Sequence, residues 1–391
     1  MSVGLVIDVA VVLVLLSAVI TGIARGLIRG LGAAIGLIAG GAAALVVMPL
    51  VSAHVPAIGW NVAAALAAGL ALIAVGVSIG AWIAKAFRRP VHRVGLGVLD
   101  RLLGGAAGLA AAVAVVLILS MSAAMSGVPG ATQAVASSTV LRFLDDAVPS
   151  PVTSALARLR AIAVDDGIPT VLDAAGITGA PVPDADADTP ALRTAAESVL
   201  RITTSAPSCA TASTGSGFVV SDGVVMTNAH VVAGASEVVV AARGELPRAS
   251  EVVYFDPEAD IAVLAVPDLQ AAALPFDATP AVGETVFFQG YPYGGPFVSR
   301  SAAVLAAGPM TAVEVAGGGP VTRSAVRLAA QVEPGNSGGP LLTAEGAVSG
   351  MIFARSDTDP RVGFALGMDE LAPVLAQAPG LREPVSTGPC A

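Results

Sequence analysis

Apolar and polar positions follow three different rhythms along the 391 residues. Four nearly unbroken apolar runs come first: Val3–Thr21, Leu31–Leu50, Asn61–Ala84 and Leu102–Met125. Each is long enough for a helix to cross a hydrocarbon core of about 30 Å. A mixed stretch follows. Leu141, Leu144 and Val148, then Leu156, Leu159 and Ile162, recur at helical spacing, but Pro149 and Pro151 interrupt them and predict two short helices. Ala174–Pro190, rich in Ala, Pro and Asp, reads as an extended linker, and Ala191–Ile202 as a helix leading onward. From about Ser208 the rhythm becomes short strands between turn residues. Ser216–Ser221 and Val224–Thr227 flank Asp222-Gly223, a hairpin signal. Val238–Ala242, Glu251–Phe255, Ile261–Val266, Thr285–Gln289, Ser301–Ala306 and Ala325–Ala330 follow. Leu341–Thr343 and Val348–Ala354 flank Glu345-Gly346, Val362–Leu366 is the last strand, and Met368–Gln377 a terminal helix. Three segments result: 1–125 as a four-helix transmembrane domain, 126–200 as a connector, and 201–391 as an all-β domain.

Composition sharpens the division. Charged residues make up only 13% of the chain, and the mean hydropathy of +0.80 is too high for an ordinary soluble protein. Residues 1–125 hold seven Lys/Arg and two acids, which leaves 13 basic and 27 acidic residues beyond them. An acidic body argues against nucleic acid as a partner. Arg25 and Arg29 follow the first span; Lys85, Arg88, Arg89, Arg93 and Arg101 follow the third; the connection 51–60 carries neither Lys nor Arg. Basic loops stay cytoplasmic, so both termini and the acidic body are expected outside the cytoplasm, with the bilayer as a partner. Trp60 and Trp82 support this, lying at the two ends of the third span, about 33 Å apart along a helix. The first span lacks a basic leader and three more follow, unlike a secretory signal.

Glycines recur every fourth residue at Gly22, Gly26 and Gly30, at Gly32, Gly36 and Gly40, and at Gly104 and Gly108. Such rows let helices approach closely, either within the bundle or between copies of the chain in an oligomer. Asp8 lies inside the first span near its outer end, where polar packing accounts for it as well as function does.

The chemistry concentrates in Glu333-Pro334-Gly335-Asn336-Ser337-Gly338-Gly339-Pro340-Leu341. A serine between glycines sits on a tight bend, and the N–H groups of Gly335 and Ser337 can converge on one developing oxyanion. A serine needs a base, and the base an orienting acid. His230 in Thr227-Asn228-Ala229-His230-Val231-Val232 and Asp260 in Asp260-Ile261-Ala262-Val263-Leu264 supply both. A lone histidine is more often structural, but the other two, His54 and His92, belong to the membrane block. Asp256 and Glu258 are nearby rivals to Asp260. Lys85 is the only lysine, which excludes a Ser–Lys dyad in the acidic body. No cofactor motif and no cluster at metal-ligand spacing is visible, so neither is expected.

These three segments resemble those of trypsin-like serine proteases, in particular the HtrA/Deg branch, and their order His, Asp, Ser is that of the chymotrypsin class. The resemblance implies a double β-barrel of the trypsin type with the site in the cleft. About 50 residues follow Ser337, too few for the PDZ domain common in that branch. Six residues before the serine, Gln331 takes the position that lines the base of the primary pocket in this fold, with Gly350, Met351 and Ile352 in its wall; an uncharged Gln argues for an apolar rather than Arg/Lys residue before the cleaved bond. The run Gly95–Gly108 resembles the colicin V production (CvpA-like) membrane family. Both parts together resemble the MarP family of actinobacterial membrane proteases, which implies an endopeptidase acting on cell-envelope proteins or peptides under acid and other stress.

Two readings compete with proteolysis: a catalytically silent protease-like sensor or scaffold that binds peptide, and a transporter-like function of the spans. The intact set of motifs opposes the first, and the scarcity of polar intramembrane residues opposes the second. The two cysteines, Cys209 and Cys390, lie at the two ends of the acidic domain, outside the cytoplasm, where disulfides persist. Ends of domains are often close together, so a Cys209–Cys390 bond is expected.

Overall fold

The computed structural model describes residues 3–36, 71–84, 97–124, 137–149, 169–171, 181–206, 211–313 and 320–390, with 39–40, 43, 134–135, 151–152 and 155; positions 73, 244 and 246 fall outside. Two compact units make up the chain: residues 8–116, and residues 1–7 with 117–391.

The first unit is helical. Helix α1 (Val3–Arg25) ends at Gly26, whose φ of +76° breaks the helical path before α2 (Leu27–Gly36). Helices α3 (Ala74–Ala84) and α4 (Gly97–Ala124) follow. Among the described residues two helices, Val3–Arg25 and Gly97–Ser120, are long and apolar enough to cross a membrane. Their exposed Leu5, Leu13, Leu16, Ile20, Leu102 and Leu119 are what lipid, not water, accommodates. Much of the second and third expected spans lies outside the described residues, as do Trp60, His54, His92 and Lys85. The glycine rows are used within the chain. A Cβ on Gly22 would run into the Gly104 carbonyl, and one on Gly36 into that of Gly76. Asp100 is buried and its Oδ1 accepts from Ile28 N at 3.0 Å, capping the start of α2.

In the second unit, α5 (Thr139–Ala147) is capped by Ser138 Oγ, which accepts from Leu141 N at 3.1 Å. A two-residue strand β1 (Thr170–Val171) follows. The linker at 181–189 has no regular structure, yet it packs: Ser301 Oγ donates to Pro183 O at 2.5 Å, and Ala185 and Ala187 rest on the apolar core. Helix α6 (Pro190–Ala196) has Thr189 as its N-cap and Pro190 in its first turn. The helix predicted to run to Ile202 stops there, because Val199, Leu200 and Ile202 belong to strand β2 (Val199–Ala206) and Leu200 and Ile202 fill a barrel interior. The sequence boundary at residue 201 therefore cuts a strand.

Strands β3 (Thr211–Ser221), β4 (Val224–Thr227), β5 (Glu237–Ala241), β6 (Arg248–Asp256) and β7 (Ile261–Ala265) close a barrel with β2 in the order β2-β3-β4-β7-β6-β5. The one-turn helix α7 (Ala229–Val232) interrupts it after β4. Strands β8 (Thr285–Gly290), β9 (Val298–Val313), β10 (Pro320–Ala329), β11 (Pro340–Leu342), β12 (Val348–Ser356) and β13 (Val362–Leu366) form a second sheet with β1, ordered β1-β12-β11-β8-β9-β10-β13, in which β12 also pairs with β13. Helix α8 (Met368–Gln377) follows, and the segment beyond it returns to the barrel, where Val385 N donates to Val252 O at 2.8 Å.

Side-chain alternation with period two explains the packing. Along β7, Ala262 and Leu264 fill the barrel while Ile261 and Val263 join a separate core. Along β12, Ile352 faces the interior of the second sheet, and Met351 and Phe353 face that same shared core. This shared core draws Phe218 and Met226 from the barrel, Phe353 and Phe364 from the sheet, and Leu371 from α8. Strands buried on both faces read as continuous apolar runs, which is the pattern of Ile261–Ala265 and Val362–Leu366.

Candidate active site

His230 follows β4 on α7, where Asn228 sits at the N-cap and donates through Nδ2 to Asp260 O at 2.9 Å. Asp260 ends the turn between β6 and β7 with φ +58°, a left-handed conformation uncommon outside glycine. The turn is held by Asp256, whose Oδ1 accepts from Glu258 N at 3.0 Å and Ala259 N at 2.9 Å. Asp260 is fully buried, and its carboxylate accepts from His230 N at 3.0 Å. His230 Nδ1 lies 3.0 Å from Oδ1 and 2.9 Å from Oδ2 of the same carboxylate. An imidazole so held carries its proton on Nδ1 and leaves Nε2 to act on something else. Nε2 is buried and has no hydrogen-bond partner among the described residues.

Ser337 comes from the segment between β10 and β11. It is nearly buried, and its carbonyl accepts from Ser216 N at 2.8 Å. The next residue lies against the chain that leads into His230: a Cβ on Gly338 would overlap Thr227 Oγ1 and stand 3.2 Å from Asn228 N. Only glycine fits there, with φ +81°. A Ser337–His230 hydrogen bond is not made here; such bonds are often long until a substrate tightens them.

The backbone before Ser337 is fixed on both sides. Pro334 O accepts from Tyr293 N at 2.5 Å, and Gly335 O accepts from Ser216 Oγ at 2.7 Å. Ser216 Oγ in turn accepts from Tyr291 N at 2.9 Å. With both carbonyls engaged and Gly335 at φ +92°, the N–H groups of Gly335 and Ser337 find no acceptor among the described residues. Tyr291 beneath this loop donates its hydroxyl to Val199 O at 3.3 Å, and burial pushes its phenol up to about 12 against the opposing pull of Arg201 and Arg243.

Gln331 is exposed, with its carbonyl accepting from Arg300 Nη1 at 3.1 Å. Arg300 also pairs with Glu333 at 2.7 Å, bracing the approach to Ser337. Gly350 lies against the Leu366 carbonyl, and Met351 and Ile352 are fully buried in different cores. Ile352 binds the serine loop through its backbone, its O to Gly338 N at 2.8 Å and its N to Gly339 O at 2.9 Å. Sequence reading missed Ser216, whose only signal is its place on a Gly-Ser-Gly strand, and it missed Arg323 on β10. Among the described residues no group of three or more His, Cys, Asp or Glu is placed to hold a metal ion.

Comparison with known proteins agrees with this arrangement. Residues 215–351 match the family model of the trypsin-like peptidase domain, and residues 7–149 that of the colicin V production protein. The serine protease Rv3671c of Mycobacterium tuberculosis strain H37Rv is 36% identical over 313 residues, which span 78% of either chain. The chain belongs to the Rv3671c (MarP) family of serine proteases. The crystal structure of the M. tuberculosis Rv3671c protease in its active form superimposes with a TM-score of 0.53 at 39% identity, covering 56% of this chain and 99% of that one. A probable DegP-like periplasmic serine endoprotease of Hahella chejuensis is 37% identical over 180 residues, 42% of this chain and 35% of that one. This chain pairs a colicin V-type segment with a peptidase domain; it is a serine protease, and its colicin V-type segment and apolar helices suggest membrane association.

Proposed function

We propose that the chain is an endopeptidase in which Ser337 attacks a peptide carbonyl, His230 takes its proton through Nε2, and Asp260 holds the imidazole in the required tautomer. The paired contact between Asp260 and His230 Nδ1, with Nε2 left unengaged, carries this reading. The unengaged N–H groups of Gly335 and Ser337 hold the oxyanion. The proton passes to the leaving amine, and water then resolves the acyl-enzyme by the same base. Removing a triad member should lower turnover by about 10⁴ or more. A fluorophosphonate probe applied to the full chain in detergent should label Ser337 and lose its reactivity after His230→Ala. Equal labelling after that change sinks the assignment.

The two sheets form the double barrel of the trypsin type, with the site between them, and 1–125 is a four-span anchor with both termini outside the cytoplasm. The paired basic loops and the match to the colicin V family support this. A reporter active only in the cytoplasm, fused after Ala391, should stay silent. Substrates are cell-envelope proteins or peptides, in resistance to acid or envelope stress, as the family's setting supports; a Ser337→Ala trap that captures none in the native envelope argues against it. The primary pocket, with Gln331 and not a carboxylate six residues before Ser337, favours a small or medium apolar residue; a cleavage profile dominated by Arg or Lys contradicts that. Cys209 and Cys390 pair across the ends of the domain: Cys390 is not a free thiol, Cys209 lies outside the described residues, and the chain has no third cysteine. Two alkylated cysteines in unreduced protein from the envelope remove the pairing.

A further inference from the structure

A second charged group reaches the Asp260 carboxylate from the other side of the cleft. Arg323 lies on β10, the strand that runs into the Ser337 segment, and it is almost fully buried. Its Nε donates to Glu258 O at 2.6 Å and its Nη2 to Pro257 O at 3.2 Å. Its Nη1 stands 4.0 Å from Asp260 Oδ2, and its Cζ lies over the Phe353 ring, 5.8 Å from the centroid.

A buried arginine is costly to desolvate, and a well-packed apolar side chain usually serves stability as well or better. What this one holds is specific. Pro257 and Glu258 stand three and two positions before Asp260 in the turn whose N–H groups are already taken by Asp256. Arg323 takes the carbonyls. A planar fork that grips two successive carbonyls fixes the orientation of the turn, not merely its distance. The residue at its end sits at φ +58°, a conformation that persists only where its surroundings over-determine it. Among the described residues, the ionisable groups facing the Asp260 carboxylate are His230 and Arg323.

We propose that Arg323 is a positioning residue for proteolysis: the strand of the second sheet that leads to the nucleophile also clamps the turn of the barrel that carries the acid. The two halves of the site are thereby set against each other by one side chain. This rests on the triad reading above.

The test uses the full chain in detergent, with active sites counted by exhaustive fluorophosphonate labelling, so that misfolded molecules do not enter the rate. Arg323→Gln, which keeps a donor but loses charge and fork, should lower kcat per labelled site about 10–100-fold through misplacement of the acid, with KM changed less than about twofold. Arg323→Lys, which restores the charge but not the fork, should recover little of the lost kcat, and full recovery overturns the proposal. Wild-type kcat per site in Arg323→Gln, even with a lowered melting temperature, makes the arginine a purely structural staple and overturns the proposal. If Arg323→Gln gives no folded protein, Phe353→Leu decides: loss of the ring under the guanidinium should lower kcat severalfold in wild-type Arg323 and change little further in Arg323→Lys. Equal effects in both backgrounds overturn the proposal. Absence of labelling in the unmutated chain refutes the triad reading instead.

Discussion

Replacing Gly335 with alanine tests the oxyanion loop most directly. At φ +92° a side chain is strained before any contact is considered, by about 1–2 kcal/mol. The space is also taken: the new Cβ would overlap the Tyr291 carbonyl, stand 2.7 Å from Tyr293 N and 3.2 Å from Gly294 N. All three neighbours are backbone, so none swings aside as a flexible side chain would. Two relaxations remain. The 334–335 peptide can rotate, which breaks the Tyr293 N–H bond to Pro334 O and turns the Gly335 N–H away. Otherwise the 291–294 turn recoils, releasing the same bond. Overpacking of this kind costs about 1–3 kcal/mol in stability. Loss of one oxyanion donor costs about 10²–10³ in kcat, equivalent to about 3–4 kcal/mol of barrier. Turnover of a peptide substrate should be measured per fluorophosphonate-labelled site, beside the melting temperature. Gly346→Ala is the control. Gly346 has φ +81° in the β11–β12 turn, where a Cβ would stand 3.0 Å from Ala191 O. It carries a similar backbone cost far from the serine and should leave kcat unchanged. If Gly335→Ala turns over within about threefold of wild type per labelled site, the Gly335 N–H is not an oxyanion donor.

Other outcomes follow from the same structure. Ser216→Ala removes the donor to Gly335 O and orphans the buried Tyr291 N–H, so it should destabilise by about 1–3 kcal/mol and lower kcat about tenfold; unchanged kcat would show that Ser216 does not fix the loop. Tyr291 should resist alkaline titration to about pH 12 while an unfolded tyrosine titrates near 10. The folded state then binds the proton more tightly, so this contribution to stability is complete below pH 10 and is lost, by about 2–3 kcal/mol, as pH rises from 10 towards 12. Denaturant melts across that range should lose the drop in Tyr291→Phe. Gly36→Val should push α2 from α3 at the Gly76 carbonyl and lower the yield of monodisperse detergent-extracted protein; a wild-type yield would show that this close approach is dispensable.

The segments proposed as catalytic were legible because that chemistry needs fixed residue types in fixed order. The strands were legible for a simpler reason: β7 and β13 are buried on both faces, and β3–β4 and β11–β12 turn on Gly223 and Gly346 with positive φ. The region 191–202 misled because Ala-rich α6 runs straight into β2 with no glycine or proline between, so apolar spacing alone does not mark the change. The linker looked extended and free, and its composition gave no sign that Ala185 and Ala187 pack on the shared core. Arg323 left one trace, a charge at an inward position of an alternating strand, which gains meaning only once the β6–β7 turn is folded against it.

On the proposed assignment, the placement of these groups makes the barrel and the sheet one catalytic object. Each half fixes the other's functional backbone. Ser216 and Thr227 from the barrel meet at 2.7 Å, and Ser216 then grips Gly335 and Ser337 of the sheet's loop. Arg323 from the sheet grips the turn of Asp260 in the barrel. On the proposed mechanism, a rigid shift of one half by about 1 Å would therefore disturb the acid and the oxyanion donors together, and misplacement on that scale is worth about 10² in rate. The shared core of Phe218, Met226, Phe353, Phe364 and Leu371 resists such a shift, because close-packed side chains have discrete rather than continuous arrangements. Any regulation that acts on this enzyme by moving one half has both sets of bonds to break, and so is expected to switch activity steeply rather than grade it.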